Sequence, residues 1–138
     1  MTDQLDFGRK IQDRQPFNNH VGFQITALGA DGSVMELEIG DHHKQERGFV
    51  HGGVMAAMAD TTLTYAAGAQ MGPVLTSEFK INYTRPGIGQ RLIARAEVLS
   101  RGRTQAVVQC RIFAVNDGVE KMCAVAQGTI VAVPLDRD

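Results

Sequence analysis

The stretch that decides the fold is Val50-His51-Gly52-Gly53-Val54-Met55-Ala56-Ala57-Met58-Ala59-Asp60-Thr61-Thr62-Leu63-Thr64-Tyr65-Ala66-Ala67. From Gly52 to Ser77 the only formally charged side chain is Asp60. Apolar residues fall on every side of this segment instead of along one stripe, which predicts a helix enclosed by the rest of the chain. Its alanines supply helix propensity and a slim cylinder, a shape that a curved sheet can wrap. Gly72-Pro73 closes it.

Working outward, the flanks read as strands. On the N-terminal side Gly22–Leu28 and Ser33–Ile39 form a hairpin around Gly29-Ala30-Asp31-Gly32, with Met35, Leu37 and Ile39 alternating against Glu36 and Glu38. Residues 3–14 suit a short helix that Gln15-Pro16 ends, since the residue before proline is pushed out of the α region. On the C-terminal side Phe79, Ile81 and Tyr83 alternate with Glu78, Lys80 and Asn82, and Thr76 has the opposite parity to Phe79 and Ile81. Leu92–Val98 alternates in turn, and Gln105–Val115 and Val119–Val133 are joined by an Asn116-Asp117-Gly118 turn. Strand and helix do not alternate as a parallel doubly wound fold requires, so the class is α+β with an antiparallel sheet. The length of 138 residues suits a single domain, 1–138, with residues 1–20 as a helical extension.

Charge narrows the function classes. With 14 Lys+Arg against 15 Asp+Glu there is no basic excess for a phosphate backbone, so nucleic acid is not an expected partner. No apolar run approaches bilayer-spanning length and no signal-peptide pattern opens the chain, so the expected location is the cytosol, without a membrane partner. In that compartment Cys110 and Cys123, placed on one sheet face by their odd separation across the turn, read as buried packing thiols, and zinc-ligand spacings are absent. His42-His43, in the polar loop Gly40–Gly48, reads as a solvated pair without a role, and Met55 and Met58 as core.

Two features carry chemistry. Gly52-Gly53 lies at the mouth of the helix, where free N–H groups and the positive end of the dipole make a donor site for an oxyanion. A tight turn into a crowded helix accounts for the glycines equally well. Asp60, in an otherwise apolar helix, needs a hydrogen bond or a function; a neighbouring threonine satisfies the first, a general base or nucleophile the second. The nine-residue step from His51 to Asp60 turns a continuous helix by about 900° and rises about 13.5 Å, so one chain does not bring them together. If both act, a two-fold dimer must.

His51-Gly52-Gly53 followed by Asp60 resembles the HGG…D motif of the hotdog-fold thioesterases of the phenylacetate-degradation (PaaI-like) group, with similarity through Thr76–Tyr83 and Pro86 and more loosely from Val21 to Val133. The resemblance implies a hotdog fold, an antiparallel sheet wrapped around one central helix, and hydrolysis of an acyl-CoA with a small aromatic or short- to medium-chain acyl group. It implies Asp60 as nucleophile or water-activating base, the Gly52 N–H as oxyanion donor, His51 as orienting or polarising group, and Thr76 as a water-placing hydroxyl. Gln45 stands where the group often has asparagine. Gly53 and the Arg101-Gly102-Arg103 turn would contact coenzyme A, although a solvated hairpin tip explains the turn equally well. No metal or redox cofactor is implied, and the assembly is a homodimer with shared sites, or a dimer of such dimers. The competing readings are a non-catalytic acyl-thioester sensor and an acyl-thioester hydratase or dehydratase, whose His-plus-acid pattern is not matched.

Overall fold

A computed structural model describes residues 3–134. Two helices open the chain, α1 (Gln4–Asp13) and α2 (Pro16–Val21), followed by strands β1 (Gln24–Gly29) and β2 (Gly32–Glu38). A single 3-10 turn (Asp41–His43) leads to α3 (Gly52–Met71), and β3 (Val74–Tyr83), β4 (Arg91–Arg101), β5 (Gln105–Asn116) and β6 (Val119–Ala132) complete the fold. All six strands form one antiparallel sheet in the order β1-β2-β4-β5-β6-β3. The sheet wraps α3, as expected.

The core is the inner face of this curve. Met58, Ala59, Leu63 and Ala66 of α3 are fully buried, together with Met35 of β2, Leu92 and Ala94 of β4, and Val108 and Cys110 of β5. One departure from the sequence reading concerns the helix surface. A single sheet covers only one side of α3, so Ala56, Ala57, Asp60, Thr64 and Gly68 form a half-open stripe along the other. That stripe is as free of charge as the buried one, apart from Asp60.

α1 ends before Gln15-Pro16, as expected, with Gln15 in an extended conformation; Pro16 then occupies the first position of a second helix, α2, where its missing N–H is one the helix leaves unbonded anyway. Gly22, at φ 103°, caps α2, and β1 starts two residues later. The extension is tied down by Gln12, whose buried Oε1 accepts the Ile25 N–H at 2.6 Å, and by the Tyr65 hydroxyl, 3.3 Å from the Gly8 carbonyl. Burial and the nearby Asp13 charge push the Tyr65 phenol up to about 12.

Both cysteines are free and buried, as expected. Cys123 is the extra residue of a bulge between β5 and β6, which turns it inward to place Sγ 3.6 Å from the Met55 sulfur. Burial pushes the Cys110 thiol up to about 12 and Cys123 up to about 11.

His42-His43 is not a solvated pair. His43 is 4% exposed; its Nδ1 accepts the Gly40 N–H at 2.9 Å, so Nε2 donates to the Val21 carbonyl at 2.6 Å. This imidazole clamps the loop before α3 onto the end of α2, and its own carbonyl accepts the His51 N–H at 2.8 Å. Only His42 is exposed.

Candidate active site

The acid sits mid-helix. Asp60 is half-buried on the open stripe of α3, and its Oδ1 accepts a 2.6 Å hydrogen bond from the Thr76 hydroxyl of β3. Strict alternation puts Thr76 on the opposite face from Phe79 and Ile81, but the β3–β6 register slips by one residue between Thr76 and Glu78. Ser77 is the extra residue, and the bulge returns Thr76 to the helix-facing side. With Oδ1 held, the carboxylate keeps a second oxygen for chemistry. Asp60 and Thr76 line a cavity of about 950 Å³ together with Phe7 and Ile11 of α1 and Leu75 of β3.

The donor end is separate. His51 is the N-cap of α3, and its Nδ1 accepts the Gly53 N–H at 2.8 Å. The His51 carbonyl takes the Val54 and Met55 N–H groups at 3.0 and 3.4 Å. Among the described residues the Gly52 N–H meets no acceptor, so one donor at the positive end of a twenty-residue helix is free for an anionic oxygen. Each glycine has a packing reason as well. A Cβ on Gly53 would stand 2.9 Å from His51 Nδ1, and one on Gly52 would stand 3.3 Å from the Tyr83 ring.

Gly52, Gln45, Met55 and Tyr83 line a second hollow of about 420 Å³. Gln45 is at the right end of the helix, but its Oε1 accepts the Arg47 N–H at 2.5 Å, which ties its side chain to the loop. Met58 is core, as expected, while Met55 is buried yet touches this hollow. Arg101 donates to the Gln70 carbonyl at 2.7 Å, satisfying one of the terminal acceptors of α3. Gly102 and Arg103 follow it in an exposed turn closed by the Gly102 N–H on the Gln105 carbonyl at 2.8 Å.

The predicted residues therefore fall into two clusters at different heights on α3, Asp60 with Thr76 and His51-Gly52-Gly53 with Gln45, while the arginine turn lies at its C-terminal end. The sequence reading missed Tyr83, taken only as a member of an apolar alternation; its hydroxyl, at the strand end, donates to the Gly52 carbonyl at 2.8 Å. It also missed α1 as a wall of the acid's cavity. Among the described residues no three His, Cys, Asp or Glu side chains are grouped to hold a metal ion, and no helix is long and apolar enough to cross a membrane.

A curved antiparallel sheet around one long helix, with a capped donor at its start and an acid in its middle, is the hotdog arrangement. The family model of the thioesterase superfamily matches residues 47–121, and the chain belongs to that superfamily. A thioesterase family protein of Silicibacter pomeroyi is 33% identical with a TM-score of 0.87, covering 91% of this chain and 94% of its own. A variant of the phenylacetic acid degradation protein PaaI of Thermus thermophilus is 28% identical, TM-score 0.76, covering 86% and 100%. Acyl-coenzyme A thioesterase 13 of Mus musculus is 26% identical over 111 residues, 77% of this chain and 79% of that one. The protein is a PaaI-like, hotdog-fold thioester hydrolase.

Proposed function

We propose that the chain hydrolyses acyl-CoA thioesters carrying a small aromatic or short- to medium-chain acyl group, in a homodimer, or a dimer of dimers, whose sites are each shared by two subunits. The observation that carries this is the division of the motif: Asp60, held by Thr76 at 2.6 Å, lines one cavity, while the free Gly52 N–H lines another. The eight-residue step along α3 from Gly52 to Asp60 rises about 12 Å, too far for both to reach one thioester carbonyl within a single chain. A two-fold axis beside the half-open stripe of α3 would set the acid of one subunit against the helix start of its partner. It would also cover an apolar surface that one sheet leaves open.

In this site the thioester carbonyl oxygen accepts the Gly52 N–H of one subunit, with His51 beside it, and Asp60 of the other subunit faces the carbonyl carbon. Either Asp60 takes a proton from water as its oxygen attacks, or Asp60 attacks and forms an anhydride that water then opens. In both routes the carbon–sulfur bond breaks, the coenzyme leaves as its thiol after protonation, and the charge that grows on the oxyanion is met by the helix-end N–H. Thr76 holds Oδ1 and orients the other oxygen. These steps use side chains and backbone of this chain alone. Arg103 and the Arg101 turn, with Gly53, are the proposed contacts for coenzyme A, although Arg101 must share its guanidinium with Gln70.

Product-resolved hydrolysis of an aromatic and aliphatic acyl-CoA panel by the wild type and a folded Asp60→Asn variant tests this reading. Turnover that disappears in the variant, with binding kept, supports it. Binding without turnover in the wild type overturns it in favour of a sensor.

A further inference from the structure

We propose that Tyr83 is a positioning residue for this reaction, acting through the Gly52–Gly53 peptide to hold the His51 imidazole as an Nε2–H donor. The proposal rests on the reading above that His51 faces the thioester carbonyl. Its basis is a continuous hydrogen-bonded chain. The Tyr83 hydroxyl donates to the Gly52 carbonyl at 2.8 Å. The N–H of that same peptide belongs to Gly53, and it donates to His51 Nδ1 at 2.8 Å.

Donation to an amide oxygen draws electron density from the amide nitrogen and strengthens its N–H as a donor. A stronger donor on Nδ1 favours the tautomer whose proton is on Nε2, the nitrogen left facing outward. The imidazole is exposed and has no other side-chain partner among the described residues, so its orientation depends on this one contact. Its backbone is separately anchored by the His43 carbonyl at 2.8 Å.

Tyr83 is suited to the task by its packing. Although 50% exposed, its ring packs close against the helix start, with Cζ and Oη 3.3 Å from where a Gly52 Cβ would stand. It continues the helix-facing parity of Phe79 and Ile81 to the end of β3, where the strand has run back along α3 to its first turn. A glycine at position 52 is what permits this approach, and one at position 53 leaves room for the imidazole. The two glycines, the tyrosine and the histidine thus form one unit.

The test is Tyr83→Phe, which keeps the ring and removes the hydroxyl, read by two measurements on the full chain. Ring nitrogen NMR of His51 should show a single Nε2–H tautomer in the wild type and an averaged mixture in the variant. Steady-state kinetics on the best acyl-CoA should show kcat reduced about five- to tenfold with KM little changed. In a His51→Ala background the same substitution should cost less than about twofold, because the path it acts through is gone. An unchanged ring spectrum in Tyr83→Phe overturns the proposal, as does a kcat loss that persists in full without His51. If the wild type turns over no thioester, the functional reading fails, while the ring spectra still decide the relay.

Discussion

The Thr76 hydroxyl stands 2.6 Å from Asp60 Oδ1, donating from β3 across to the middle of α3. A hydrogen bond to a charged acceptor contributes about 1.5–3 kcal/mol, so its loss is felt in both position and charge. Thr76→Val should therefore lower kcat by roughly ten- to a hundredfold, while Thr76→Ser keeps most of it. Equal activity of the valine and serine variants would show that the hydroxyl does not serve the acid.

Gly53 leaves space that the N-cap imidazole fills. Gly53→Ala puts a methyl 2.9 Å from His51 Nδ1, and because the contact is with a side chain, the ring moves away. The expected result is a loss of about 1 kcal/mol of stability from the broken cap, together with reduced turnover. Chemical denaturation alongside kinetics checks both; a variant with full activity would show that the imidazole is not needed where it sits.

His43 predicts a structural effect transmitted to the site. Its buried ring bonds Gly40 and Val21, and its carbonyl holds the His51 N–H. His43→Ala leaves the Gly40 N–H and Val21 carbonyl without partners and should cost about 2–4 kcal/mol, lowering the melting temperature. A change within about 0.5 kcal/mol, the range usual for surface substitutions, would contradict the clamp.

Alkaline pH should weaken the fold. Cys123 and Cys110 are pushed up to about 11 and about 12 by burial, whereas thiols of the unfolded chain ionise near 8.5. Between those values the unfolded state binds fewer protons than the native state, so stability is complete below about pH 8.5 and falls as pH rises through the window. The slope approaches about 1.4 kcal/mol per pH unit for each thiol. Urea unfolding at pH 7.5 and pH 10 measures it, and Cys110→Ala should lessen the fall; an identical fall in that variant would remove Cys110 as a cause.

The sequence exposes the parts of this molecule that follow from local pattern. A single acid in an uncharged helix marks α3 and Asp60, and glycine punctuation with period-two alternation marks the strands. It hides what depends on register and on tertiary partners. Thr76 meets Asp60 only because Ser77 bulges out of the β3–β6 ladder, and nothing in Leu75-Thr76-Ser77-Glu78 announces a bulge. His43 looks like any polar loop residue until the end of α2 is brought against it. Gln15-Pro16 stops α1 as its pattern says, but the same pattern does not show that the proline ring then opens a second helix, α2. Tyr83 was visible only as an apolar-face residue; its hydroxyl acquires meaning once β3 runs back to the helix start.

The central claim is that the acid and the oxyanion donor of each site come from different subunits. Gly52→Pro removes the donor at a first helical position whose backbone proline accepts, at the cost of moving the Tyr83 ring aside, and Asp60→Asn removes the acid. Each variant alone should be inactive. Co-expressed with different tags and purified through both, mixed dimers carry one site with both groups intact and one with neither, so about half of wild-type activity should return. Mixed dimers as inactive as their parents would contradict the shared site.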